Sequence, residues 1–212
     1  MDTALEIKNV NKTFHERDGK ALSALKDIDL TVNRGEFIML LGPSGSGKST
    51  LLRILCGLDT ATHGRIAFGS GLSTGDIGFV FQQFALLPWL SVEENIAMGL
   101  IARNTAEGEC RRIVGELVRQ FGLEKFARSH IRELSGGMRQ RVGIARALAI
   151  NPKILLLDEP FSELDIYTAD ELRADLLSIW KERALTVVMV SHLVTESIEL
   201  ADRIAVFTPR PG

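Results

Sequence analysis

The densest chemistry in the chain lies in nine consecutive residues: Gly42, Pro43, Ser44, Gly45, Ser46, Gly47, Lys48, Ser49 and Thr50. They fit the spacing GxxxxGK[ST], and each part has its own physical task. Gly42, Gly45 and Gly47 let the backbone curl so that successive N–H groups point into one concavity. A helix starting there adds unpaired N–H groups and the positive end of its dipole. Lys48 brings a full positive charge to terminal phosphates. The Ser49 hydroxyl suits the Mg²⁺ that a nucleoside triphosphate carries. The pattern is a phosphate site only between a strand and a helix. Phe37–Leu41 before it is an unbroken apolar run that reads as a buried parallel strand. Leu51, Leu52, Ile54 and Leu55 after it are spaced like the buried face of a helix. A plain glycine-rich turn would leave that context without a purpose.

Two further strand ends carry polar groups. Ile154–Leu157 is four apolar residues leading straight into Asp158, Glu159 and Pro160. Ligands in α/β sheets sit beyond the carboxyl ends of strands. One carboxylate there can hold hydrated Mg²⁺, and its neighbour can polarise a water. The run Leu185–Val190 ends in the same way at Ser191 and His192, where a γ-phosphate contact is the expected use of the imidazole. Ser135, Gly136 and Gly137 open a segment through Ala149 with Val142, Ile144, Ala145 and Leu148 apolar. This reads as a helix capped by Ser135 whose bare N–H groups form a second anion site, with a flexible cap as the bland account.

Other elements must position these groups. Residues 4–10 and 25–32 alternate apolar and polar and read as half-exposed strands of an antiparallel sheet, joined through a polar turn at residues 15–20. Phe14, just before that turn, is by its surroundings a core aromatic at a strand end. Arg65–Phe68 and Ile77–Phe81 read as two short strands, the second followed directly by Gln82. Phe84–Trp89 is apolar, aromatic and irregular. From Ser91 to about Phe126 the pattern is helical: Ser91 and Glu94 make a capping box, and Ile113, Val114, Leu117, Val118 and Phe121 share a face. Residues 86–134 thus form an approximate helical insertion within an α/β core that runs over residues 1–212.

The composition excludes several classes. With 25 basic and 27 acidic residues, the net charge of −2 gives no field that would draw nucleic acid or anionic lipid. No apolar run approaches the length needed to span a bilayer, and the N-terminus lacks a signal-peptide pattern. Cys56 and Cys110 are outside any metal-ligand spacing and read as reduced thiols, Cys56 among apolar helix neighbours.

The order of motifs resembles the ATP-binding subunit of an ABC transporter: phosphate loop, Gln82, helical insertion, Leu134-Ser-Gly-Gly-Met-Arg-Gln-Arg141, then Asp158-Glu159-Pro160, Asp165 and His192. The resemblance covers residues 4 to 212. It implies a phosphate-loop ATPase core with a small antiparallel β part and a helical subdomain. It also implies roles. Phe14 would stack on adenine, and Gly42–Thr50 would wrap the phosphates. Ser49, Gln82 and Asp158 would serve Mg²⁺, Gln82 also contacting the attacking water. Glu159 would orient and deprotonate that water, and His192 would brace the γ-phosphate. Ser135, Gly136 and Gly137 would contact ATP held by a second subunit, so that two ATP molecules are sandwiched in a head-to-tail dimer. No arginine lies in the motifs where a finger would be expected, and a helix N-terminus from another chain would fill that gap.

The segments Phe79–Gln82, Leu86–Trp89 and Ser91–Ile96, with the ending Thr208–Gly212, resemble bacterial importers of the nitrate, sulfonate, taurine and bicarbonate type. Their implied partners are a second copy or a paralogous ATPase subunit, integral membrane permease subunits and, indirectly, an extracytoplasmic solute-binding protein. The implied location is the cytoplasmic face of the bacterial inner membrane. Leu86–Trp89 reads equally as core packing or as a groove for a permease helix. A non-transporting ATP switch is the rival function. Glu163 replaces the family's usual alanine after Asp-Glu-Pro, an added carboxylate that either alters communication between sites or faces solvent. The end at Gly212 leaves no room for a C-terminal regulatory domain.

Overall fold

A computed structural model describes residues 2–15 and 21–209, so the expected turn at residues 16–20 and the last three residues of the chain lie outside it. Two sheets flank a helix. Strands β1 (Thr3–His15), β2 (Ala21–Asn33) and β4 (His63–Phe68) form an antiparallel sheet in the order β2-β1-β4. Strands β3 (Phe37–Leu41), β5 (Ile77–Val80), β6 (Ile154–Asp158), β7 (Thr186–Ser191) and β8 (Arg203–Val206) form a parallel sheet in the order β5-β6-β7-β3-β8. The two runs read as neighbouring short strands therefore part company, β4 joining β1 and β5 joining β6.

Period-two alternation explains why β3, and β6 up to Leu157, are apolar. Ile38 and Leu40 of β3, with Ile154 and Leu156 of β6, face helix α1 (Lys48–Leu55) and the antiparallel sheet. Phe37, Met39, Leu155 and Leu157 face the other way, against the helical side. A strand covered on both faces cannot alternate with polar residues. Leu51, Leu52 and Leu55 of α1 are almost fully buried between the sheets. At about 1.5–3 kcal/mol for each such side chain, they hold the start of α1 firmly in place.

From Val92 to Glu133 every regular element is helical: α2 (Val92–Ala102), α3 (Glu107–Gln120) and short 3₁₀ turns. Ser91 and Glu94 close the expected capping box on α2. Val114, Leu117, Val118 and Phe121 are buried as their spacing requires. Helix α4 (Gly136–Ala149) packs beside α2, and α5 (Ile166–Arg183) and α6 (Val194–Leu200) complete the structure. One continuous apolar core joins these helices to the parallel sheet. Cys56 is half-buried against the other core, where burial raises its thiol pKa.

Candidate active site

The parallel sheet brings four chain segments to one edge. The phosphate loop follows β3, Gln82 follows β5, Asp158 ends β6, and His192 follows β7. All are carboxyl ends of parallel strands, so they open on the same side. There a cleft of about 460 Å³ is lined by Ser44–Thr50, Gln82, Glu159 and His192.

The loop's curl is set by Gly47. Its φ of 97° is left-handed, and a Cβ there would collide with the Ala24 carbonyl and Leu25 of β2. Both the conformation and the contact demand glycine. Gly42 differs from the sequence expectation. It is not among the residues with positive φ, and a Cβ there would meet the Phe207 carbonyl at 2.5 Å. Close approach, not curl, accounts for it. Lys48 is buried at the first turn of α1 and donates to the carbonyls of Gly42 (2.7 Å) and Pro43 (2.8 Å). Burial lowers its pKa, while the negative charges of Glu159 and Asp158 work in the opposite direction.

The Ser49 hydroxyl donates to Asp158 Oδ1 at 2.7 Å across 109 residues of sequence. Asp158 is buried, and desolvation raises its pKa; the Ser49 hydrogen bond opposes this, and the Glu159 charge adds to it. The adjacent Glu159 has φ 44°, left-handed for a residue with a side chain, and its amide donates to the Val190 carbonyl. That turn aims its carboxylate at His192, whose Nδ1 lies 3.1 Å from Glu159 Oε2. A hydroxyl and a carboxylate in contact, with an exposed amide oxygen at Gln82, are the hard oxygen donors that Mg²⁺ takes beside phosphates. The described residues thus fit that ion.

Two predicted groups lie away from the cleft lining. Phe14 is not a core aromatic: it is 39% exposed at the end of β1, with the Lys12 ammonium 4.8 Å from its ring centre. Lys12 is itself buried and fixed by Asp59 (2.5 Å) and the Thr60 carbonyl (2.8 Å). Ser135 caps α4 by accepting from the Met138 amide at 3.3 Å. A Cβ at Gly137 would run into the Thr168 side chain, so the tip of α4 and the start of α5 share a face. Glu163 is exposed near that face, as are Ile166 and Tyr167.

Sequence reading missed Arg146 on α4. Its guanidinium donates to the carbonyls of Phe84 (2.9 Å) and Ala85 (2.6 Å), two consecutive residues with left-handed φ of 44° and 46°. The side chain is half-buried, and partial desolvation lowers its pKa. Nothing in its type or spacing sets it apart from Arg139 and Arg141 on the same helix. Lys12 was also missed, although residues two apart on a strand share a face.

A family profile described as "ABC transporter" matches residues 25–162. The chain belongs to the ABC transporter family. It is 45% identical over 215 residues to an aliphatic sulfonates import ATP-binding protein of Bacillus licheniformis, covering 99% of this chain and 82% of that protein. It is 43% identical to a nitrate import ATP-binding protein of Synechocystis, covering 98% and 79%. Among solved structures, a dimeric ABC cassette in a post-hydrolysis state bound to ADP and Pi superposes with a TM-score of 0.84 at 37% identity, covering 96% of this chain and 94% of that one. As an ABC cassette, the chain is an ATP-binding ATPase whose hydrolysis is coupled to transport.

Proposed function

We propose that this ABC ATPase powers import of a small anion of the nitrate, sulfonate, taurine or bicarbonate class. It works as a head-to-tail dimer on membrane permease subunits supplied by a solute-binding protein. Relatives named for these four solutes, at 39–45% identity, support the solute class. Among the described residues no helix is long and apolar enough to cross a membrane, so the path for solute would belong to the permease. Its place would be the cytoplasmic face of the inner membrane. Residues 86–134 would be the arm that meets the permease, with Trp89, 67% exposed, on its surface.

The observation that carries the catalytic reading is the Glu159–His192 contact at 3.1 Å on the wall facing the phosphate loop. Glu159 would accept a proton from the attacking water, and His192 would hold both that carboxylate and the γ-phosphate in line. Lys48 would exchange its two carbonyl partners for phosphate oxygens. Gln82 would also contact that water. Phe14, backed by Lys12, would take the adenine. Bound Mg²⁺, held by Ser49, Asp158 and Gln82, would supply Lewis acidity to the phosphates. Ser135, Gly136 and Gly137 would serve the partner's ATP. The exposed Ile166 and Tyr167 beside them are apolar surface suited to such a partner.

The test is turnover of the isolated chain against Glu159→Gln. The variant is expected to bind ATP, lose at least about a hundredfold in kcat and elute as a dimer with ATP. Equal turnover would remove Glu159 from its role. A purely ATP-gated switch would show binding without turnover in the wild type.

A further inference from the structure

His192 has little to hold its ring. The side chain is 49% exposed, and its one side-chain hydrogen bond among the described residues runs to Glu159. Its placement must therefore come from its backbone. The hydroxyl of the preceding Ser191, buried at the end of β7, accepts from the Leu193 amide at 3.0 Å. The same hydroxyl donates to Glu196 Oε2 at 2.5 Å. The chain on both sides of His192 is thus bound to one oxygen, and that oxygen is anchored by a carboxylate on α6.

Glu196 is buried, and its other oxygen lies 3.7 Å from Nε of Arg173 on α5. This buried Nε has no hydrogen-bond acceptor among the described residues. The Arg173 guanidinium sits 5.9 Å from the ring centre of Phe161, two residues beyond Glu159, and its Nη1 holds Asp170 at 2.6 Å. One carboxylate therefore reaches the strand end that carries His192 and, through Arg173, the turn that carries Glu159. A buried carboxylate facing a largely covered guanidinium is expensive compared with apolar packing of the same volume. Simple docking of α6 on α5 would not require them.

We propose that Glu196, acting through Ser191 and Arg173, is a positioning residue that sets the His192–Glu159 alignment. The inference rests on the reading of His192 and Glu159 given above. A positional error of about an ångström at reacting groups costs on the order of a hundredfold in rate. A purely structural ion pair would affect unfolding and leave the rate per folded molecule alone.

The experiment measures ATPase kcat and KM, together with thermal unfolding, for Ser191→Ala, Ser191→Thr, Glu196→Ala and His192→Ala. Ser191→Ala and Glu196→Ala are expected to lower kcat about tenfold or more, with KM for ATP within about twofold of wild type. Threonine keeps the hydroxyl and should restore the rate lost in Ser191→Ala. Either alanine variant combined with His192→Ala should lose nothing further, because all act through one imidazole. If Glu196→Ala fails to fold, the Ser191 pair carries the test alone. Full turnover in Ser191→Ala beside an inactive His192→Ala overturns the inference and leaves the active-site reading intact. Full turnover in His192→Ala removes the active-site reading and, with it, the inference.

Discussion

Replacing Arg146 by methionine separates local from global stability in a way the structure makes calculable. The guanidinium makes two hydrogen bonds, to the Phe84 and Ala85 carbonyls, and no ion pair among the described residues. Hydrogen bonds from a charged donor contribute about 1.5–3 kcal/mol each, so roughly 3–6 kcal/mol is lost. Two returns offset this. Methionine spares several kcal/mol of guanidinium desolvation. Phe84 and Ala85, once released, can leave left-handed conformations that store about 1–3 kcal/mol apiece. Global unfolding free energy should therefore fall by only about 2 kcal/mol or less, read by urea denaturation. The loop itself loses its clasp, and the strain released at Phe84 and Ala85 favours its opening. Amide exchange at Ala85, whose N–H donates to the Gln83 carbonyl, should accelerate, whereas Leu87, whose amide donates to the buried Asn95 Oδ1 at 2.8 Å, should keep its protection. Because Gln82 lies two residues before this clasp, kcat should fall several-fold with ATP affinity retained. Unchanged exchange at Ala85 would refute the reasoning, as would exchange rising equally at Leu87.

Gly47→Ala should lose nucleotide binding as well as stability. It forces a left-handed φ on alanine and drives a methyl into the Ala24 carbonyl, so a loss of at least about 2 kcal/mol and no measurable ATP retention are expected; near-normal binding by calorimetry would contradict this. The Glu94 pKa is lowered chiefly by its hydrogen bond from the Ser91 backbone amide, then by the Ser91 side chain and the charge of His130. A depressed carboxylate pKa stabilises the fold at pH above the ordinary value of 4.5, and that stabilisation disappears as pH falls through the folded-state value. Denaturation of Glu94→Gln should therefore show a shallower loss of stability below pH 4.5 than wild type, and parallel curves would dismiss the contribution.

What the sequence disclosed follows one geometric rule. Four of the expected site residues stand within two positions of the end of an apolar run: Gly42 after Leu41, Gln82 after Val80, Asp158 after Leu157 and His192 after Val190. Parallel strands place all such ends on one edge, so neighbours in the cleft need no information about which strands touch. The structure brings the Ser49 hydroxyl, in the first turn of α1 after β3, to Asp158 at the end of β6 although β7 lies between those two strands.

Phe14 shows where the rule stops. The alternation legible in residues 4–10 does not carry forward, because the β1–β2 register shifts between Ile7 and Val10, again before Lys12, and again before Thr13. Each shift changes which face the next side chain takes, so the pattern of residues 4–10 does not foretell that Phe14 emerges in solvent while Lys12 is buried. Arg146 and Glu196 escape for a different reason. Their partners are a carbonyl 61 residues away and a hydroxyl on the far side of a turn, and neither residue type nor spacing marks these pairs. Those contacts hold the polar groups that strand ends alone cannot aim. The edge of the sheet thus decides which residues meet, while buried charges one layer behind it decide at what angle, and it is the second kind of information that a linear pattern does not contain.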